Sequence, residues 1–354
     1  MELTTVWFIL IAILWTGYFV LEGFDFGVGM LLPVIGRAHG DKALTERRRR
    51  VMINTIGPVW DGNEVWVITA GGATFAAFPE WYATMFSAFY LPLLLILVAL
   101  IIRGVAFEYR GKRPDAAWKR RWDWCIIAGS AIPAFLWGVA FGNIVRGLKI
   151  APVPLPAGPL EYIGSFWDLL NPYAILAGVT TLLLFLTHGA IFLTLKTAGE
   201  IRDRARSIAL SVGVFAAIAA VAFFAFTFSL RSTGVSITLG VLAAVAFVLA
   251  LLALRAPRGG RPGTRREGWA FAGTAVTIAL TVASLFFALY PDVFPSTLRD
   301  SWSLTVDNAS STAYTLRIMT WVAVIFTPLV LLYQGWTYWV FRKRIGVEHI
   351  PADA

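Results

Sequence analysis

Residues 6–32 read VWFILIAILWTGYFVLEGFDFGVGMLL, an apolar run with no charge before Glu22. It exceeds the roughly 20 residues that carry an α-helix across a bilayer, and it lacks the alternating pattern of a membrane β-strand. Eight further apolar stretches follow, near 52–77, 82–108, 122–146, 166–195, 206–230, 234–254, 268–290 and 313–341. Each predicts a helix, because hydrocarbon offers no partner for a backbone N–H or C=O outside its own segment. The first stretch lacks a basic leader and a small-residue cleavage site and carries two acids, so it is expected to be a retained helix and not a signal peptide.

The composition agrees. Of 354 residues, 58% are hydrophobic and 14% charged, against roughly a quarter charged in soluble proteins, which excludes a water-soluble globule. One cysteine, Cys125, excludes disulfides within the chain and multi-cysteine metal clusters. Three histidines, His39, His188 and His349, offer little more for metal chemistry, and no metal site is expected. The net charge of +9 is topological: 25 of the 30 Lys and Arg residues fall in alternate connections and the C-terminal tail. The positive-inside rule puts those in the cytoplasm, with the N-terminus outside and the C-terminus inside, and leaves no case for nucleic acid. No connection exceeds about 25 residues, so residues 1–354 are expected to form a single polytopic membrane domain, all-α with nine transmembrane helices. The connection from Arg255 to Arg266 suggests either anionic-lipid contact or a solvated topology signal, and Ala151 to Pro156 reads as a stiff extended segment.

Acids within spans need partners, water or a task, since an ionised Asp at the bilayer centre costs roughly 2.5 to 3.5 kcal/mol. Glu22 and Asp25 stand three apart, as do Asp61 and Glu64, so each pair forms a stripe on one helical face. With spans running 6–32 inward and 52–77 outward, Asp25 and Asp61 fall at similar depth and are expected to be near neighbours, with Asn54 extending the second face toward the cytoplasm. A water-lined cleft ending inside the membrane follows, suited to carrying protons or cations. The alternative is that the acids clamp helices through hydrogen bonds or ion pairs, Arg103 being the nearest candidate partner. His188, the only histidine inside a span, has no second intramembrane histidine to share a haem, and a hydrogen-bonded structural role is expected of it. Asn143, Arg317 and Gln334 read as packing residues.

Several of these residues carry a resemblance. Gly17-Tyr18-Phe19-Val20-Leu21-Glu22-Gly23-Phe24-Asp25-Phe26-Gly27, Gly57-Pro58-Val59-Trp60-Asp61-Gly62-Asn63-Glu64-Val65-Trp66 and Met319-Thr320-Trp321 resemble subunit II of the cytochrome bd quinol oxidases, and the likeness runs through nearly the whole chain. It implies a bacterial plasma-membrane heterodimer in which subunit I holds all the haems, b and d, and oxidises quinol, so this chain would ligate no cofactor. Small single-helix accessory subunits, membrane lipids and a structural quinone in this subunit are compatible with it. The resemblance also assigns this subunit part of the cytoplasmic proton-uptake path, where Asp25 and Asp61 match motif acids and Asp61 is expected to matter more. It adds a route for O2, where Trp66 matches a family tryptophan. Position 64 is Glu where some relatives carry Gln, which makes its charge dispensable to the family mechanism. Two rival functions compete with the oxidase subunit: a proton- or cation-coupled transporter using the same acids, and a scaffold in which they only clamp helices.

Overall fold

The computed structural model describes residues 2–154, 158–255 and 266–351. Eleven α-helices account for most of it: α1 Leu3–Ile35, α2 Lys42–Ile56, α3 Trp60–Ala77, α4 Pro79–Ala88, α5 Tyr90–Tyr109, α6 Ala116–Arg146, α7 Pro172–Lys196, α8 Gly199–Leu230, α9 Gly234–Arg255, α10 Arg266–Leu289 and α11 Ala313–Val340. Two short antiparallel hairpins, Ile150–Pro152 with Leu160–Tyr162 and Asp292–Phe294 with Leu304–Thr305, close the end away from the basic connections. Eight of the helices are long and apolar enough to cross a membrane: α1 and α5 to α11. Apart from its two flanking residues, the Arg255 to Arg266 connection lies outside the described residues, as do Leu155 and Pro156 of the extended segment.

The stretch expected as one helix over 52–77 is two. It breaks at Gly57-Pro58-Val59, between α2 and α3. Pro58 has no N–H to give the helix and Gly57 has the weakest propensity after proline; Gly57 still keeps helical geometry, and the chain leaves it at Val59, with φ −132° and ψ −21°. The stretch over 82–108 likewise divides at Phe89, three residues before Pro92. In the stretch over 166–195, residues 166–169 make only a 3₁₀ turn. The helix proper starts where the Asn171 side chain caps the Ala174 N–H at 3.0 Å and Pro172 takes the first helical position.

Two groups of helices meet at α1. It packs against α3, α6 and α7, α6 backs α5, and α7 through α10 form the second group. The α1–α7 crossing is backbone against backbone: a Cβ on Gly27 would lie 2.1 Å from the Phe185 carbonyl oxygen, and one on Gly189 2.5 Å from the Gly27 Cα. Only glycine permits that approach. A Cβ on Gly129 of α6 would meet the Arg103 Cβ at 2.6 Å, so α5 also lies unusually close to its neighbour.

At the basic end, charges tie α2 to α5 and α6. Arg110 donates to both Glu46 oxygens at 2.8 Å and through Nε to Asp123 at 2.6 Å, while Arg49 reaches Asp123 at 2.8 Å. Burial pushes the Glu46 carboxyl up, but Arg110 and Lys119 outweigh it and hold the group below its ordinary value. The pairing therefore favours the fold above the usual glutamate pKa of about 4.3, and its contribution is lost as pH falls through the lower folded value. The chain after α11 folds back along this end: Ile345 exchanges backbone hydrogen bonds with Lys196 and Ala198, and Arg47 donates to the Val347 carbonyl at 2.7 Å.

Gly27→Val should cost about 3 kcal/mol or more, because the methyls meet backbone and not a side chain that can turn away. The measurement is the yield of monodisperse protein in detergent, where Gly27→Val should fail and Gly111→Ala, with open space around its Cα, should match the parent.

Candidate functional site

Glu22 and Asp25 lie fully buried on α1, one helical turn above the Gly27 crossing. Opposite them, from α5, comes Arg103, the largest of the fully buried side chains. Its guanidinium is ion-paired with Glu22 and stands 4.0 Å from Glu64 of α3. Phe26 and Phe107 flank it, with their ring centroids 4.9 and 5.1 Å from the guanidinium carbon, a cation–π setting that suits a desolvated arginine. Asp25 accepts a 2.6 Å hydrogen bond from the side-chain amide of Asn63. The Asn63 oxygen accepts in turn from the Tyr338 hydroxyl at 2.7 Å and the Gln334 amide at 3.3 Å, both from α11. Gln334 also accepts from the Trp66 indole at 3.0 Å, and that ring fills the space a Cβ on Gly17 would occupy.

The cluster holds three carboxyls and one guanidinium. Glu22 Oε2, Asp25 Oδ1, Glu64 Oε1 and Arg103 Nε and Nη2 are buried with no hydrogen-bond partner among the described residues. A buried ion pair persists when its remaining lone pairs and protons are satisfied. With more acids than cations, this group has positions for exchangeable protons and for hydrogen-bonding water.

Two expected members stand elsewhere. Asp61 is exposed, and its carboxylate accepts from the adjacent Gly62 N–H at 2.8 Å. The inward stripe of α3 runs through Asn63, Ala70, Thr74 and Ala77, and a residue two before Asn63 lies about 200° round the helix. Asp61 therefore lines the outer face and is not the neighbour of Asp25, although it remains within electrostatic reach of Glu64. Asn54 is exposed on α2, and the break at Gly57-Pro58-Val59 cancels the seven-residue spacing that put it on the same face as Asp61. Conversely, Gln334 belongs to the cluster and is not simply a packing residue. Asn63 and Tyr338 went unassigned in the sequence, although Tyr338 stands four residues after Gln334 on an otherwise apolar helix. Arg103 was legible only as the partner in the clamp reading.

His188 does not fit a haem. One ring nitrogen stands 2.7 Å from the Thr274 hydroxyl and the other 3.0 Å from the Val20 carbonyl, while Phe271 stacks on the ring at 4.7 Å. Both nitrogens are engaged, one with a carbonyl and the other with a hydroxyl, so neither offers iron a free lone pair. Asn143 donates to the Val139 and Leu169 carbonyls, as a packing residue would.

Residues 3–341 match the family model for cytochrome bd terminal oxidase subunit II. The chain belongs to that family. It is 44% identical to the cytochrome bd ubiquinol oxidase subunit 2 of Bacillus subtilis, over 98% of this chain and 97% of that one. Its identity to the cytochrome bd-I ubiquinol oxidase subunit 2 of Escherichia coli K12 is 36%, over 98% and 96%. A chain in the structure of the bd oxidase from Geobacillus thermodenitrificans shares the fold, with a TM-score of 0.75 at 16% identity, covering 97% of this chain and 100% of that one. Family membership displaces the transporter reading, and the chain is a multi-pass membrane protein.

Losing one partner of a buried ion pair costs about 3 to 5 kcal/mol. Arg103→Met should therefore strip assembled protein from the membrane, whereas Glu22→Gln, which keeps a hydrogen-bond acceptor and leaves Glu64 4.0 Å away as counter-charge for the guanidinium, should retain much of it. Immunoblots of membranes alongside size-exclusion profiles would show the difference; parental yield from Arg103→Met would make Arg103 dispensable to the fold.

Proposed function

We propose that this chain is the haem-free subunit II of a quinol:O2 oxidoreductase and that it carries cytoplasmic protons toward the oxygen-reducing site of subunit I. The observation that carries this reading is the buried cluster of Glu22, Asp25 and Glu64 around the single guanidinium of Arg103. Glu22 neutralises Arg103 and acts as the clamp. Asp25 and Glu64 are then the carboxyls in excess, and Asp61, exposed beside Glu64, is the group that first meets cytoplasmic protons. A hydrogen-bonded relay needs groups that gain and lose a proton in sequence, and Asp61, Glu64 and Asp25 provide that order from rim to interior.

The chain crosses the membrane nine times in this reading. The helix α3 has 18 residues, about 27 Å at 1.5 Å per residue, close to the roughly 30 Å hydrocarbon thickness, and it joins the eight longer apolar helices as the ninth span. The basic end is cytoplasmic and the N-terminus external. Residues 1–354 form a single membrane domain. The partner covers α3 and α11, because only Leu316 of α11 is buried and Asp61, in the first turn of α3 on the neighbouring surface, calls for a polar neighbour or water at the membrane boundary. Haems b and d belong to subunit I; the engaged nitrogens of His188 support that division. Quinol and O2 are the substrates of the complex, and Trp66, at the junction of α1, α3 and α11, borders the O2 route. A structural quinone or lipid belongs on the outer surface of this subunit, because the apolar cavity between Phe19, Phe141, Leu184, Phe223 and Ile278, about 60 Å³, is smaller than the roughly 150 Å³ that admits a benzene ring.

Asp25→Asn removes an exchangeable proton while keeping size and hydrogen bonding. The complex should assemble with normal haem content yet consume O2 about a hundredfold more slowly per haem, at the low end of the 10²–10⁴ range typical of acid–base groups. Asp61→Asn should be milder, because solvent at the rim can deliver protons to Glu64 directly. Normal turnover by correctly assembled Asp25→Asn would remove the proton-path role. Reporter fusions after Ala354 and within Asp292 to Ser311 should report opposite compartments, and His188→Ala should leave every haem band of the purified complex in place.

A further inference from the structure

The polar side chains of α11 have a task that the proton path alone does not explain. Tyr338 and Gln334 stand four apart, so both face α3, and both converge on one atom, the Asn63 oxygen, at 2.7 and 3.3 Å. Two donors on that oxygen leave one orientation for the amide, with its NH2 directed at Asp25 Oδ2 2.6 Å away. The reverse orientation would press the Asn63 carbonyl against a carboxylate and set two NH2 groups against each other. Trp66 completes the arrangement by occupying the Gln334 oxygen at 3.0 Å, which directs the Gln334 NH2 toward Asn63. We infer that Tyr338 and Gln334 are positioning residues for Asp25, acting through the side-chain amide of Asn63.

Asp25 is surrounded by Glu22 on its own helix, Arg103 from α5 and Glu64 from α3. Among these neighbours the Asn63 amide is the one uncharged donor directed at its carboxylate, and a donated N–H favours the form that accepts it. An amide free to turn would present either end to Asp25. The donors that prevent this sit on a helix otherwise almost unburied within this chain, so correct seating of α11 is a condition for Asp25 to exchange protons efficiently. The inference rests on the proton-path reading and adds residues to it that touch no substrate.

The test compares Tyr338→Phe in the purified two-subunit complex with the same change in an Asp25→Asn background. In the parent, Tyr338→Phe should leave haem content and quinol KM unchanged and lower kcat for oxygen uptake about fivefold, the effect of one lost hydrogen bond; in Asp25→Asn it should lower kcat no further. Equal fractional losses in both backgrounds, or no loss in the parent, would overturn the positioning role while leaving the proton path standing. Normal turnover by Asp25→Asn itself would instead remove the proton path. Gln334→Leu carries the same comparison should Tyr338→Phe fail to assemble, and failure of both to assemble would make the pair a structural clamp and overturn the proposal.

Discussion

A guanidinium with no exposed surface, inside the helical core of a membrane protein, is the constraint on which the rest of this fold depends. Arg103 cannot be discharged under any physiological condition, so the helices around it must supply counter-charge and aromatic faces. That requirement places Glu22 of α1 in contact, draws Glu64 of α3 to 4.0 Å, and sets Phe26 and Phe107 against the cation. The close glycine approaches follow from the same demand. Gly129 lets α6 back the arginine without a side chain between them, and Gly27 with Gly189 holds α1 at the depth where its two acids meet α5.

Under the proton-path proposal, the clamp and the relay are therefore not rival accounts of the same acids. One carboxylate suffices to neutralise one guanidinium, and Glu22 takes that position. The other acids are surplus to the fold, since two negative charges without counter-ions in low dielectric would destabilise it. A helix-clamping role alone gives no reason for Asp25 to be fully buried beside an existing ion pair, facing a single amide donor. Proton transfer does give one, because it needs a group whose charged and neutral forms are both accessible, and an excess of carboxyl over guanidinium provides it.

How much of this was legible in the sequence depends on the range of the signal. The long apolar runs follow from local chemistry, and the structure reproduces eight of them as helices of membrane-crossing length. The three-residue spacing of Glu22 and Asp25 gave a shared face correctly because α1 is unbroken there. The same reasoning failed for Asp61 and Asn54. Pro58 interrupts the helix that was to carry both, and the inward stripe of α3 is set by packing against α1, which the spacing of Asp61 and Glu64 does not reveal. Tyr338 and Gln334 were hidden by distance: their partner Asn63 lies more than 270 residues away in sequence, and nothing local distinguishes a tyrosine bonded to a neighbouring helix from one anchoring a helix at the membrane surface.

The uneven burial of the two helix groups carries a last consequence. The helices α6, α7 and α10 are covered on most sides, whereas α11 is nearly bare and α3 presents Val65, Ile68 and Phe75 outward together with Asp61. Lipid could cover the apolar residues at no cost, since there is no hydrophobic drive between apolar helices in a bilayer. It could not cover an aspartate on the same surface. A protein partner that supplies a polar group, or admits water at that depth, resolves the conflict. Under the proton-path proposal, the acid at the rim would lie at the boundary with subunit I, while Glu22, Asp25 and Arg103 lie buried within this chain, so assembly would complete the entrance and leave the interior unchanged.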